Sequence, residues 1–196
     1  MSSVKQIFID SDIRCGGFFE LAIQVSPSSE QDSVRAYRTL IWQLSEVQGP
    51  YDAHMNLIPS DPDGYKQEGV LSLGNRHIPF KLHYIKEEPF DSGYNWFTLS
   101  IYTATIGRVF DLQYSTFTGI GELPEALDNF LVNLMKSLNK IFPFLLALKD
   151  FDITGEYYLE NLQKPGLLNW TGSHFYVPQK YWKTVEPGYH SIATVI

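Results

Sequence analysis

One cysteine, Cys15, stands in 196 residues. That excludes an internal disulfide and fits a reducing compartment. Long hydrophobic runs are also missing: the longest, Phe142 to Leu148, contains Pro143 and is far too short to span a bilayer as a helix. Only Ile7, Phe8 and Ile9 follow Lys5 before the aspartates Asp10 and Asp12, so no signal-peptide pattern is visible. The expected location is the cytoplasm, with no membrane association. The sequon Asn169-Trp170-Thr171 would then stay unmodified. Cations are outnumbered, 15 Lys and Arg against 22 Asp and Glu, for a net charge of −7. This argues against a nucleic-acid binder, which needs clustered Lys and Arg, and would suit a basic partner.

What is present is globular. Hydrophobic residues make up 44% of the chain and aromatics 15%, too many for a disordered polymer. A chain of this length is expected to form a single α+β domain over residues 1–196. Such a domain buries roughly 70% of its unfolded surface without a disulfide or metal.

The stretch IFIDSDIRCGG, Ile7 to Gly17, resembles the strand-end Asp-x-Asp loop of haloacid-dehalogenase-type phosphatases. Arg14 and Cys15 follow, then two glycines and an alternating segment, which reads instead as a loop turning into an antiparallel sheet. Lys149, Asp150 and Asp152 could imitate the later lysine and acids of such enzymes, but they are contiguous where those enzymes spread them over separate elements.

Periodicity supplies the elements. Phe19, Leu21, Ile23 and Val25 alternate with Phe18, Glu20, Ala22 and Gln24, a half-buried strand. Ser28 and Gln31 are spaced as a capping box before a helix whose stripe is Val34, Tyr37, Ile41, Leu44 and Val47, stopped by Gly49-Pro50. Residues 51–67, rich in Asp, Pro and Gly, read as a long loop. Val70 to Leu73 and His77 to Lys86 flank Gly74-Asn75 as a hairpin, and Trp96 to Tyr102 forms the next strand. Arg108 to Gly121 reads as a second connection. Pro124 opens the clearest helix, with Leu127, Phe130, Leu131, Leu134, Met135, Leu138 and Ile141 in its stripe. Phe144 to Gly155 reads equally as helix or strand, and short strands are expected near His174 to Val177 and Tyr189 to Ile196. The order predicts a two-layer α+β sandwich: a mainly antiparallel sheet with two amphipathic helices on one face, ferredoxin-like with extra strands.

Signals for chemistry are sparse. Cys15 before Gly16-Gly17 could be a nucleophile, but no histidine stands out as its base, and a lone cysteine is commonly a small buried apolar residue. The segment TGIGE, Thr118 to Glu122, lacks the remainder of a nucleotide fingerprint. His77 and His83 share a strand face, but six residues at about 3.4 Å each separate them by about 20 Å, too far to share an ion. No metal and no cofactor are expected.

The strongest clue is the strand face opposite the helices. It carries Phe18, Glu20, His83, Trp96 and Tyr102 among polar residues, a mixture that recurs at binding surfaces. Glu20, His83, Trp96 and Tyr102 are therefore the candidate binding residues; the competing reading is that this face packs beneath the aromatic C-terminal segment. Glu20, His83 and Tyr102 could do acid–base work if they converge. The segments NWFTLSIY, Asn95 to Tyr102, and FPFLLALKDFDITG, Phe142 to Gly155, resemble segments of small uncharacterised bacterial proteins over about a quarter of the chain. That resemblance carries no activity or site residue with it. Size, acidity and the lack of a catalytic signature are similar to those of immunity proteins of bacterial toxin systems. The expectation is a non-catalytic module that binds a protein partner or a second copy of itself; the alternative is a small-molecule site or small hydrolase around Glu20, His83 and Tyr102.

Overall fold

The computed structural model describes residues 4–29, 32–61, 64–87, 93–112, 123–166 and 174–196. The expected capping residue Gln31, the TGIGE segment, the sequon and Trp170 lie outside the described residues.

Eight strands form one open sheet: β1 (Phe18–Pro27), β2 (Val47–Tyr51), β3 (Lys66–Leu73), β4 (Arg76–Lys86), β5 (Tyr94–Tyr102), β6 (Leu146–Phe151), β7 (His174–Val177) and β8 (Ala193–Val195). Their order is β2-β3-β4-β5-β1-β6-β7-β8, antiparallel throughout except for the β7–β8 pair. Six helices accompany them among the described residues: α1 (Val4–Ile9), α2 (Asp32–Gln43), α3 (Thr103–Phe110), α4 (Glu125–Ile141), α5 (Leu159–Leu162) and α6 (Gln179–Trp182). The chain is thus α+β with a mostly antiparallel sheet. No described helix is long and apolar enough to cross a membrane.

β1 lies between β5 and β6, and its alternation organises two cores. Phe19, Leu21, Ile23 and Val25 join the first core with Phe97, Leu99 and Ile101 of β5, the stripes of α2 and α4, and Ile106 of α3. Tyr37 of α2 donates to the Phe142 carbonyl at the end of α4 (2.6 Å), tying the two helices together. Burial pushes that phenol's pKa up. Ala22, Trp96, Leu146, Leu148 and Phe175 join the second core with Ile153, Leu159, Leu162 and Val185. The C-terminal segment therefore forms a partial third layer, and the expectation of two layers does not describe the whole sheet.

Several boundaries differ from the sequence reading. α2 ends at Gln43, and Val47 opens β2 opposite Leu71. The helical spacing was real, but Val47 and Leu71 bury in the same first core, so a strand satisfies that side chain equally well. β3 begins at Lys66, inside the expected loop, because its polar face meets a charged row rather than a core. α3 covers Thr103 to Gly107, which follow the expected strand, and the start of the expected connection at Arg108. Thr103, Thr105, Ile106 and Gly107 are weak helix formers, and burial of Thr105 and Ile106 holds them helical. α1 occupies the segment that read as a loop. Its Phe8 is fully buried, edge-on to Tyr51 (5.6 Å between centroids) and beneath the Arg14 guanidinium (4.9 Å). Phe144 to Gly155 supplies β6, paired with β1.

At Gly69, a Cβ would lie 2.8 Å from both the Gln48 carbonyl and the Trp42 ring. Gly69→Ala is expected to destabilise the fold by about 1–3 kcal/mol, because the backbone oxygen cannot move aside cheaply. Gly188→Ala, with open space around the added carbon, is expected to change stability by less than about 0.5 kcal/mol. Denaturant titration of both variants checks the pair.

Candidate functional site

Strand register carries the four sequence-predicted residues to one face. Glu68, Lys81, Ser100, Glu20 and Asp150 stand opposite one another along one row of that face. Lys66, His83, Thr98, Ala22 and Leu148 form the next row, and Trp96, Gln24 and Leu146 a third. Phe18 and Tyr102 pair beyond the first row, at the far end from Trp96. Six residues separate Tyr102 from Trp96 along β5, about 20 Å at 3.4 Å per residue.

That distance divides the face. Trp96 is fully buried in the second core, edge-on to Tyr158, and its indole N–H donates to Glu87 (2.9 Å). Tyr158 donates to the same Glu87 oxygen (2.7 Å), and Tyr94 donates to Glu160 (2.5 Å). Gln24 accepts from the Leu159 N–H (2.8 Å). The C-terminal segment is thus bolted onto this half, and Trp96 is core, at the far end of the face from Tyr102.

The other half is open. Glu20 is its anchor, 8% exposed. One carboxylate oxygen accepts from Ser100 Oγ (3.0 Å) and the other from the Thr154 N–H (3.1 Å) and Oγ1 (2.8 Å). Thr154 also contacts Thr98 Oγ1 (3.1 Å), so the turn after β6 is held against the sheet. Asp152 accepts from the Phe18 N–H at the start of β1 (2.9 Å). His83 Nδ1 sits 3.4 Å from Ser100 Oγ, and its ring lies near Phe18 and Tyr65. Burial, then the charges of Lys66 and Lys81, lowers the His83 pKa to about 4. The imidazole is therefore neutral at pH 7.

Around His83 lie cations and rings. Lys81 reaches the Tyr102 hydroxyl and lies over the Phe18 ring (4.9 Å) and the Tyr102 ring (4.2 Å). Glu68 is paired with Arg14 (2.5 Å) and Lys66 (2.6 Å). Burial alone would raise the Glu68 pKa, but the Lys66 hydrogen bond and the two positive charges outweigh it and hold it low. Tyr65 is 64% exposed at the edge of the patch. The cavity bounded by Arg14, Lys81, Ser100 and Tyr102 has no room for a water-sized sphere, so the patch is a surface there and not a pocket.

The hydrogen bonds bear on chemistry. In a serine nucleophile site the hydroxyl gives its proton to histidine, and the acid lies on the histidine's other nitrogen. Here the acid takes the serine's own proton, and Ser100 is fully buried. Glu20, Ser100 and His83 are a bracing network, and no general base faces an open cavity among them. Asp10 accepts from the Asp12 N–H (2.9 Å) and caps a turn, while Lys149 pairs with Asp128 of α4. Asp10, Asp152 and Lys149 of the phosphatase pattern are thus engaged in local structure. Cys15 is exposed rather than buried, its thiol donating to the Asp12 carbonyl (3.1 Å). Among the described residues no three His, Cys, Asp or Glu side chains gather as metal ligands would.

Arg14, Tyr65, Lys66, Glu68 and Thr154 were not singled out from sequence. The alternation of Lys66, Glu68 and Val70 against Gln67, Gly69 and Leu71 was the available signal for the β3 residues; Arg14 and Thr154 lie in turns and left none. Comparisons with protein-family models, curated proteins and solved structures find no match.

Two outcomes follow from this geometry. Glu20→Ala is expected to destabilise the fold by about 1–3 kcal/mol, since the Thr154 N–H and the Ser100 hydroxyl lose their acceptor. Glu20→Gln, which keeps one acceptor oxygen, should lose less than half as much; urea unfolding at pH 7 measures both. His83 titrates near 6.5 when unfolded and near 4 when folded, so the unfolded chain binds more protons between those values. Stability attributable to His83 is full above pH 6.5 and falls as pH drops toward 4. Solvent screening of the half-buried ring limits the loss to about 1–2 kcal/mol. The wild type should therefore weaken relative to His83→Gln over that window, read as the difference between their unfolding midpoints.

Proposed function

We propose that the chain is a non-catalytic protein-binding module, and that its contact surface is the open half of the sheet face around Phe18, Tyr65, Lys81, His83 and Tyr102. One observation carries this reading: aromatic and cationic side chains lie on an open face whose buried acid, Glu20, is fully engaged in bracing it. Aromatic rings and a desolvated cation are the elements that anchor protein interfaces. The β1–α2–β4–β5–α4–β6 order is read as a ferredoxin-like core with strands added at both edges, in a cytoplasmic protein.

A second copy of the chain is the first partner to consider. The patch is cationic toward β3 and β4, with Lys66 and Lys81, and acidic toward β6, with Asp150 and Asp152. A two-fold axis through it would set each copy's lysines against the other's acids, the self-complementarity that an isologous dimer needs. An immunity-like role would use the same patch against a different protein. The small-molecule or hydrolase reading at Glu20, His83 and Tyr102 is disfavoured by the closed hydrogen bonds of Glu20.

Sedimentation across a concentration series tests self-association. A dimer is expected, with Tyr65→Ala combined with Lys81→Glu weakening it about tenfold or more. Lysine-reactivity footprinting in native extract covers the other partner: Lys66 and Lys81 should be protected there relative to buffer. A chain that is monomeric throughout, with Lys66 and Lys81 equally reactive in extract and buffer, would overturn the reading.

A further inference from the structure

A groove lies between α1, the turn that follows it and α3, apart from the patch just described. It consists of two cavities of about 460 and 630 Å³ that share Asp10, Ile13 and Arg108. Each is within the range of small-molecule sites, roughly 300–1,000 Å³.

Its charge is divided along its length. The first cavity sets Arg76 and Arg108 against one carboxylate, Asp10; the second sets Asp10, Asp12 and Asp111 against Arg108 alone. The Arg108 guanidinium makes no hydrogen bond or ion pair among the described residues, and neither do the carboxylates of Asp12 and Asp111. Arg76 is stacked over Phe110 (5.0 Å), which steadies the guanidinium while leaving its in-plane donors available. Ile7, Ile13 and Val109 make the walls between these charges apolar.

The walls are fixed in advance. Thr105 Oγ1 donates to the Ile13 carbonyl (2.7 Å) from a fully buried position, and the Thr103 N–H donates to the Gly17 carbonyl (3.1 Å). Thr103, Ala104, Gly107, Arg108 and Asp111 fall on one face of α3 and its end. Ala104 and Gly107 put little bulk there, so the charged C-terminal end of that face, Arg108 and Asp111, borders open space.

We propose that this groove binds a small dipolar molecule with a short apolar body, its carboxylate between Arg76 and Arg108 and its ammonium toward Asp12 and Asp111. The inference is independent of the protein-binding patch. An ion of one sign would satisfy one end of the groove and be repelled at the other, whereas a molecule carrying both charges satisfies both.

Amide-resolved NMR titration of the full chain tests this with γ-aminobutyrate, 6-aminohexanoate and 8-aminooctanoate, and with hexanoate and hexylamine as singly charged controls. At least one amino acid of the series should shift the amides of α3 and of residues 10–16 saturably, and hexanoate and hexylamine should bind about tenfold more weakly. Arg108→Ala should weaken that binding about tenfold. Asp111→Asn, whose left-handed backbone (φ 55°) asparagine accommodates, should weaken it as well, while Lys81→Ala on the other patch should leave it unchanged. The proposal is overturned if no amino acid in the series gives saturable shifts, if a singly charged control binds as tightly, or if Arg108→Ala and Asp111→Asn bind like the wild type.

Discussion

Every layer of this protein is referred to β1, a strand buried on both sides along most of its length. Its odd positions carry large apolar groups to α2 and α4, which provide the stripes to match. Its even positions change character along the strand. Ala22 and Gln24 are small or hydrogen-bonded and accept the C-terminal segment closely, whereas Glu20 is charged and needs donors. A carboxylate so little exposed is tolerable only when its oxygens are hydrogen-bonded, and Thr154 and Ser100 meet that requirement. The same contacts stop the C-terminal segment from extending over the whole face. The border between covered and open sheet is therefore set by one substitution of charge for carbon, from Ala22 to Glu20.

The border explains why the open half has its composition. Beyond Glu20 no apolar layer arrives, so Lys81 and Lys66 keep their ammonium groups near water while their stems and the rings of Phe18 and Tyr102 cover the sheet. His83 is largely buried, beside those cations, and burial first and their charges second favour its neutral form. The local field thus opposes the net charge of −7. An expectation of a basic partner drawn from the total charge alone misses this patch, which carries both signs.

Strand parity was legible in the sequence because period-two alternation in β1, β4 and β5 reports backbone geometry directly. It placed Glu20, His83, Trp96 and Tyr102 on one face, where the register puts them. Depth along the strand was not legible. Nothing in NWFTLSIY distinguishes Trp96, under Tyr158, from Tyr102, beside Lys81, because the difference is made by Ile153, Leu159, Leu162, Val185 and Ala193 packing on one end of the face. The helices at the top of the sheet were missed for a related reason. α1 and α3 are rich in β-branched residues and are helical through tertiary burial of Phe8, Thr105 and Ile106, and the groove between them had no periodic signal.

The two candidate surfaces differ in how their charges are treated, and that difference separates what each can do. On the sheet face the charges are spent internally: Glu68 on Arg14 and Lys66, Glu20 on Thr154 and Ser100, Lys81 on Tyr102. Such a face offers shape, rings and partly neutralised charge over a wide area, which suits another protein and gives a small ligand little to hold. Between α1 and α3 the side chains of Arg108, Asp12 and Asp111 line a concave space and are unpaired among the described residues. Arg108 and Asp111 share one face of α3 and its end, and neither side chain is paired among the described residues. A molecule carrying both charges gains favourable Coulomb energy with these groups on binding.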